Sequence, residues 1–230
     1  MDSDPSFSPY SQPRLFKPGK TSSRVAELFP EIWSAAEDLS NPNHVKRRRA
    51  IALLEQSGAA RISPLIGYLV ATRLIDPDLE VRSYVVHILG EVLFIDEEGG
   101  RTAPEVINHL SFYLANMRTR HVYSAIQVLV ERIDLAPHVI RILSISPFAG
   151  NHLIEVANLR KIGMEIRKQA IWLIGQIGYL DAIPSLERLQ LRMESRLNGQ
   201  QAMPFAPPSG IDDTDLLPAV RSSLAILRSP

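Results

Sequence analysis

The stretch Asp78-Leu79-Glu80-Val81-Arg82-Ser83-Tyr84-Val85-Val86-His87-Ile88-Leu89-Gly90 decides how this chain is read, because it returns as Met164-Glu165-Ile166-Arg167-Lys168-Gln169-Ala170-Ile171-Trp172-Leu173-Ile174-Gly175. A shift of 85 places Ile166, Arg167, Ala170, Ile171, Ile174 and Gly175 on Val81, Arg82, Val85, Val86, Leu89 and Gly90. A shift of 120 places Ala170, Ile171, Ile174, Gln176, Gly178 and Pro184 on Ala50, Ile51, Leu54, Gln56, Gly58 and Pro64. A shift of 45 gives a weaker copy at Ala125, Ile126 and Leu129. Ala219-Val220-Arg221 reads as a last one. Self-similarity of this kind, in units of about 40 residues, marks stacked helical hairpins.

The apolar period is helical from Thr21 onward. Helices are predicted over 22–39, 42–56, 62–74, 77–94, 103–117, 119–132, 136–144, 163–178, 182–197 and 214–228. Pro64, Pro104 and Pro184 each fall in the first turn of a helix, where a missing N–H costs nothing. Asn41-Pro42 and Asp76-Pro77 read as a capping residue followed by a first-position proline. Two insertions interrupt the pattern, at 146–161 and 198–213. The first contains Pro147-Phe148-Ala149-Gly150-Asn151 and a short helix at 152–160. The second has the composition of a loop.

These segments resemble HEAT repeats, especially the bacterial subtype also seen in phycobiliprotein-lyase-like proteins. That subtype carries Val-Arg-x-x-Ala-Ala-x-Ala-Leu-Gly-x-Ile-Gly in its second helix and opens the next with Ala-Ile-Pro-x-Leu. Here the counterparts are Ile166-Arg167 through Gly178, then Ala182-Ile183-Pro184-Ser185-Leu186. The resemblance implies an all-α fold, a right-handed α-solenoid of about five HEAT-like helical hairpins. Residues 21–230 would form this single repeat domain. It also implies a bacterial, non-catalytic binding scaffold or assembly factor. Arg47, Arg82, Arg167 and Arg221 share the position whose arginine, in such proteins, bonds acidic and backbone groups of a neighbouring unit. Val122 takes that place in the middle copy.

Composition narrows the classes of function. Lys plus Arg equals Asp plus Glu at 25 each, a balance unlike that of proteins built to coat nucleic acid or anionic membranes. There are no cysteines, so disulfides, thiolate catalysis and cysteine-based zinc sites are absent, as suits a reducing, cytoplasmic setting. The longest apolar runs are broken by Arg73, Arg82, His87 and Lys168, short of the roughly 20 residues that span a bilayer. Residues 1–20 carry Pro5, Pro9, Pro13 and Pro18 among serines and read as a flexible arm, although Phe7, Tyr10, Leu15 and Phe16 could dock it on a surface.

No motif points to catalysis or to a cofactor. Phosphate loop, nucleophile elbow and dinucleotide fingerprint are all missing, and Gly99-Gly100 follows Asp96-Glu97-Glu98, the wrong sign for cradling phosphate. His44, His87, His109, His121, His138 and His152 show no paired spacing on one helix. No metal site is expected, since one would have to be assembled from separate repeats. Lys46-Arg47-Arg48-Arg49 opens a helix against its positive macrodipole end, at about a few tenths of a kcal/mol per cation, so nearby acids or an acidic partner are expected.

The expected working surface follows from helical phase. Lys168, Trp172 and Gln176 lie four apart on one face, with Arg48, Ser83, His87, Tyr123 and Gln127 at equivalent places. In HEAT solenoids this second helix lines the concave surface. The expected partner-binding residues are therefore Arg48, His87, Tyr123, Lys168 and Trp172. A protein partner is expected there, such as a helix or peptide of a larger assembly, because exposed tryptophan is rare and enriched at binding hot spots. The alternatives that the resemblance raises are a DNA-binding protein or alkylpurine DNA glycosylase, and a bilin lyase-like protein. The first needs a strongly basic concave face, and neither has a distinctive residue signal in this chain.

Overall fold

A computed structural model of the chain describes residues 29–95, 102–202 and 213–229. The arm at 1–20, the Gly99-Gly100 turn and most of the 198–213 insertion lie outside these residues. The described residues form twelve α-helices joined by turns and short 3-10 segments, with no strand among them. They are α1 (Phe29–Asp38), α2 (His44–Gln56), α3 (Ala59–Ile62), α4 (Pro64–Thr72), α5 (Leu79–Val92), α6 (Pro104–Ala115), α7 (Thr119–Glu131), α8 (Ala136–Ile145), α9 (Ala149–Asn158), α10 (Met164–Gln176), α11 (Ile183–Ala202) and α12 (Leu217–Arg228). None is long and apolar enough to cross a membrane.

The helix starts use a three-residue device rather than the two-residue one expected. In Asn41-Pro42-Asn43 the Asn43 side chain is the cap and accepts the Val45 N–H at 2.9 Å, while Asn41 accepts the Asn43 N–H at 3.0 Å. In Asp76-Pro77-Asp78, Asp78 caps by accepting from Val81 and Asp76 accepts the Asp78 N–H. Proline thus sits inside an Asx turn ahead of the helix and sets its entry direction. Ser63 caps α4 just before Pro64. The stops are also shared. Gly58 and Gly178 adopt φ of 64° and 68°, the left-handed conformation that ends α2 and α10. After Gly178 the Tyr179 N–H reaches back to the Ile174 carbonyl, completing a Schellman cap.

The positions matched by subtraction are the core. Ile51, Leu54, Val85, Val86, Leu89, Ala125, Ile126, Leu129, Ala170, Ile171 and Ile174 are each 0% exposed. They lie on α2, α5, α7 and α10, and these helices pack successively on one another, with α12 following on α10. Full burial stabilises each larger aliphatic side chain by about 1.5–3 kcal/mol relative to exposure. A second set packs outside: α1 on α2, α4 on α6, and α11 on α12.

The 146–161 segment departs from a surface insertion. It holds a longer helix than expected, α9, whose Ala149, Leu153 and Val156 are fully buried. Helix α9 packs between α7 and α10, while the preceding α8 lies chiefly on α5. Gly150 permits this, because a Cβ there would stand 2.0 Å from the Tyr179 ring.

Arginine ties the units. Arg47 donates twice to Asp76 at 2.9 Å and also to the Asn41 and Pro42 carbonyls, joining the entries of α2 and α5. Arg167, fully buried, donates to the Ala157 carbonyl at 2.9 Å and to Asp213 at 2.6 Å, joining α9 and α10 to the turn before α12. Burial works to raise the Asp213 pKa, yet Arg167, Arg160 and Arg196 together hold it below its ordinary value. Arg82 departs from this pattern: its Nε is buried with no hydrogen-bond partner, because the turn before α7 reads Asn116-Met117-Arg118 and offers no carboxylate. Arg221 is exposed and pairs with Glu194 of α11.

Replacing Arg167 by alanine would leave the buried Asp213 with only its two peripheral arginines. Arg167→Ala is expected to lower unfolding stability by about 3 kcal/mol. Arg221→Ala should change it by less than about 1 kcal/mol. Urea denaturation monitored by circular dichroism checks both.

Candidate functional site

The face expected to bind a partner is a half-buried row across four packed helices, and its cations are already engaged. Arg48 on α2 forms a two-pronged pair with Asp78 at 2.9 and 2.6 Å and also contacts Glu80. Lys168 on α10 pairs with Glu165 at 3.0 Å one turn earlier. His87 on α5 has Glu55 of α2 2.7 Å from its Nδ1. Tyr123 and Trp172 are half-buried and pack against the core. Two cations of the basic run at 46–49 therefore meet acids on the next unit, Arg47 held by Asp76 and Arg48 by Asp78 and Glu80. The hydrogen bond from Arg48 holds the Asp78 carboxyl down at about 2, helped by the Val81 N–H and opposed by partial burial.

A second surface lies on α4 and α6, helices to which the sequence reading assigned no role. At Gly67 a Cβ would stand 3.3 Å from the Ala60 carbonyl oxygen and in ordinary contact, 3.4 Å, with Val106 Cγ1 of α6. Beyond this contact the helices line a groove of about 570 Å³. Leu65, Tyr68, Phe112 and Tyr113 form its walls, with Met117 and His121 also lining it. The Tyr68 and Tyr113 rings meet edge to face at 5.2 Å. Phe112 is 77% exposed, an unusual state for so large an apolar ring. Polar groups here are turned to local use: His109 bonds the Glu105 carbonyl and Asn116 donates to the Phe112 carbonyl. His121 accepts the Arg118 N–H on Nδ1, and burial lowers its pKa. The signal for this groove was phase. Val106, Leu110 and Leu114 are the buried face of α6, and Phe112 falls off it.

A third cluster gathers His87 and Glu91 of α5 with His138 of α8. One candidate ligand atom from each residue lies within 4.8 Å of those of the other two. The imidazole rings stand 5.0 Å apart, edge to face. Glu91 also receives Arg61 at 2.9 Å, and Arg141 donates to the Gly90 carbonyl while lying 4.7 Å over the Phe94 ring. Burial, and next the nearby His87, lower the His138 pKa. Histidine-to-histidine spacing does not reveal this group; the informative spacing is His87 to Glu91, one turn apart, and the second histidine comes from another helix.

The chain matches no family model, no curated protein and no solved structure.

The Arg48–Asp78 pair has a pH signature. A folded-state pKa near 2, below the ordinary 3.8, gives stability that is present above pH 3.8 and lost as pH falls towards 2. Arg48→Ala should return the Asp78 titration in the folded protein towards 3.8, read by NMR of the carboxyl carbon, and should flatten this part of the acid-stability curve.

Proposed function

We propose that this protein is a HEAT-like, right-handed α-solenoid of about five hairpins that acts in the cytoplasm as a non-catalytic scaffold or assembly factor. The helix series α2, α5, α7, α10 and α12, the repeated Asx-Pro-Asx entries, the shared glycine stops and the arginine ties support the architecture.

The observation that carries the binding role is the apolar groove walled by Leu65, Tyr68, Phe112 and Tyr113. Its size suits a few apolar anchors from a partner helix or peptide, spaced one turn apart. Aromatic side chains in such a groove supply large contact area at low entropy cost and are enriched among binding hot spots. The row through Arg48, His87, Tyr123, Lys168 and Trp172 is the second contact surface. Its neutralised cations favour a protein partner over DNA, because phosphate binding depends on several cations free to replace counterions.

Affinity capture from native lysate with quantitative mass spectrometry tests this reading on three folded variants. A partner retained by wild type should fall at least about tenfold with Phe112→Ser and with Tyr68→Ala, the loss expected when a hot-spot side chain is truncated. Loss with Trp172→Ala alone would move the site to the α2–α10 row. Retention by all three would overturn the proposal.

A further inference from the structure

We propose that His87, Glu91 and His138, with Glu55 beside them, bind one divalent transition-metal ion of the zinc class. The site goes beyond the partner-binding role and shares no residue with the α4–α6 groove.

The geometry comes from three helices. His87 and Glu91 are one turn apart on α5, so their side chains leave the same face. Helix α8 crosses that face at Gly90. A Cβ at residue 90 would lie 2.4 Å from the His138 ring, so only glycine lets the imidazole settle beside its two partners. Glu55 comes from α2 and places its carboxylate against His87. The candidate ligand atoms of His87, Glu91 and His138 lie within 4.8 Å of one another. Around a tetrahedral zinc ion they would stand about 3.4 Å apart, from bond lengths near 2.1 Å. His87, Glu91 and His138 are all only partly buried, so rotations of their side chains can close the difference.

The hydrogen-bond count points the same way. Nδ1 of His138 is buried with no hydrogen-bond partner, and Nδ1 of His87 meets only the Glu55 carboxylate, at 2.7 Å. A buried imidazole nitrogen left without a partner beside a second histidine requires an explanation, and a bound ion supplies one. The charges also match. Arg61 takes Oε2 of Glu91 and leaves the other oxygen, while Arg141 is held by the Gly90 carbonyl and the Phe94 ring. Glu91 and the nearby Glu55 thus bring negative charge to the ion, that of Glu91 shared with Arg61. Two nitrogens with carboxylate oxygen select zinc, cobalt or nickel over calcium and magnesium, which favour all-oxygen sites. The ion would clamp α8 onto α5.

The test uses the untagged, chelator-treated full chain, titrated with Zn²⁺ by calorimetry and melted with and without Zn²⁺ or Mg²⁺. One zinc per chain is expected, with a higher Tm in zinc and none of that rise in magnesium. His87→Gln and His138→Gln should each weaken zinc binding by at least about tenfold, and His109→Gln on α6 should leave it unchanged. Co²⁺ should give a visible absorption band in wild type that is lost in both site variants. Should His138→Gln melt well below wild type without metal, the partly exposed His87→Gln decides. Absence of zinc binding, or equal affinity in wild type and His87→Gln, overturns the proposal.

Discussion

A guanidinium drawn out of water is tolerated where carboxylates and carbonyls are arranged to receive it, and two such arrangements, one of which leaves the Arg167 Nη2 unpartnered, hold this fold in register. Arg47 and Arg167 each reach from one unit into the turn that opens another, meeting a carboxylate and backbone carbonyls there. Their attraction is offset in large part by desolvation, so their value lies less in net stability than in specificity. A slip of either helix would strand a charge in the core. Apolar surface such as Ile51, Val86 and Ile171 can slide; a two-pronged Arg–Asp pair cannot. At Arg82 no such pair forms and the buried Nε is left without a partner; there the Ser124 hydroxyl, donating to the Leu74 carbonyl, makes the buried polar tie.

The same region is where the helical alternation changes. Between α7 and α10 stand two full-length helices, and they take different neighbours. Helix α9 fills the place beside α7 and α10, and α8 is free to lie across α5. Small residues make both placements feasible: Gly150 admits the Tyr179 ring and Gly90 admits His138. A stretch that reads as an interruption of the repeat thus brings residues from three helices into one cluster.

Electrostatics divides the surface in two. Along the α2–α10 row, cations and acids are matched between and within units, so the row presents paired charge around partly buried aromatic rings. Between α4 and α6 the groove is apolar and its polar groups are satisfied locally, leaving Phe112 and Tyr68 facing solvent. Paired charge is costly to desolvate, whereas exposed aromatic surface gains on burial.

The helical class, the place of nearly every helix and the inward face of each repeated one were legible in the sequence, because apolar period, proline and glycine act locally and the chain repeats its own pattern. The arginine position was legible for the same reason. The cap residues were misread by two positions, since whether Asn41 or Asn43 closes the helix depends on side-chain hydrogen bonds that composition alone does not order. Only the tertiary structure decided that α9 belongs to the core, that Phe112 stays outside it, and that His138 meets His87 across about fifty residues of chain. Periodicity specifies which face of a helix is buried; which neighbour buries it is settled by shape, by a glycine at the crossing point, and by where a buried charge finds its partner.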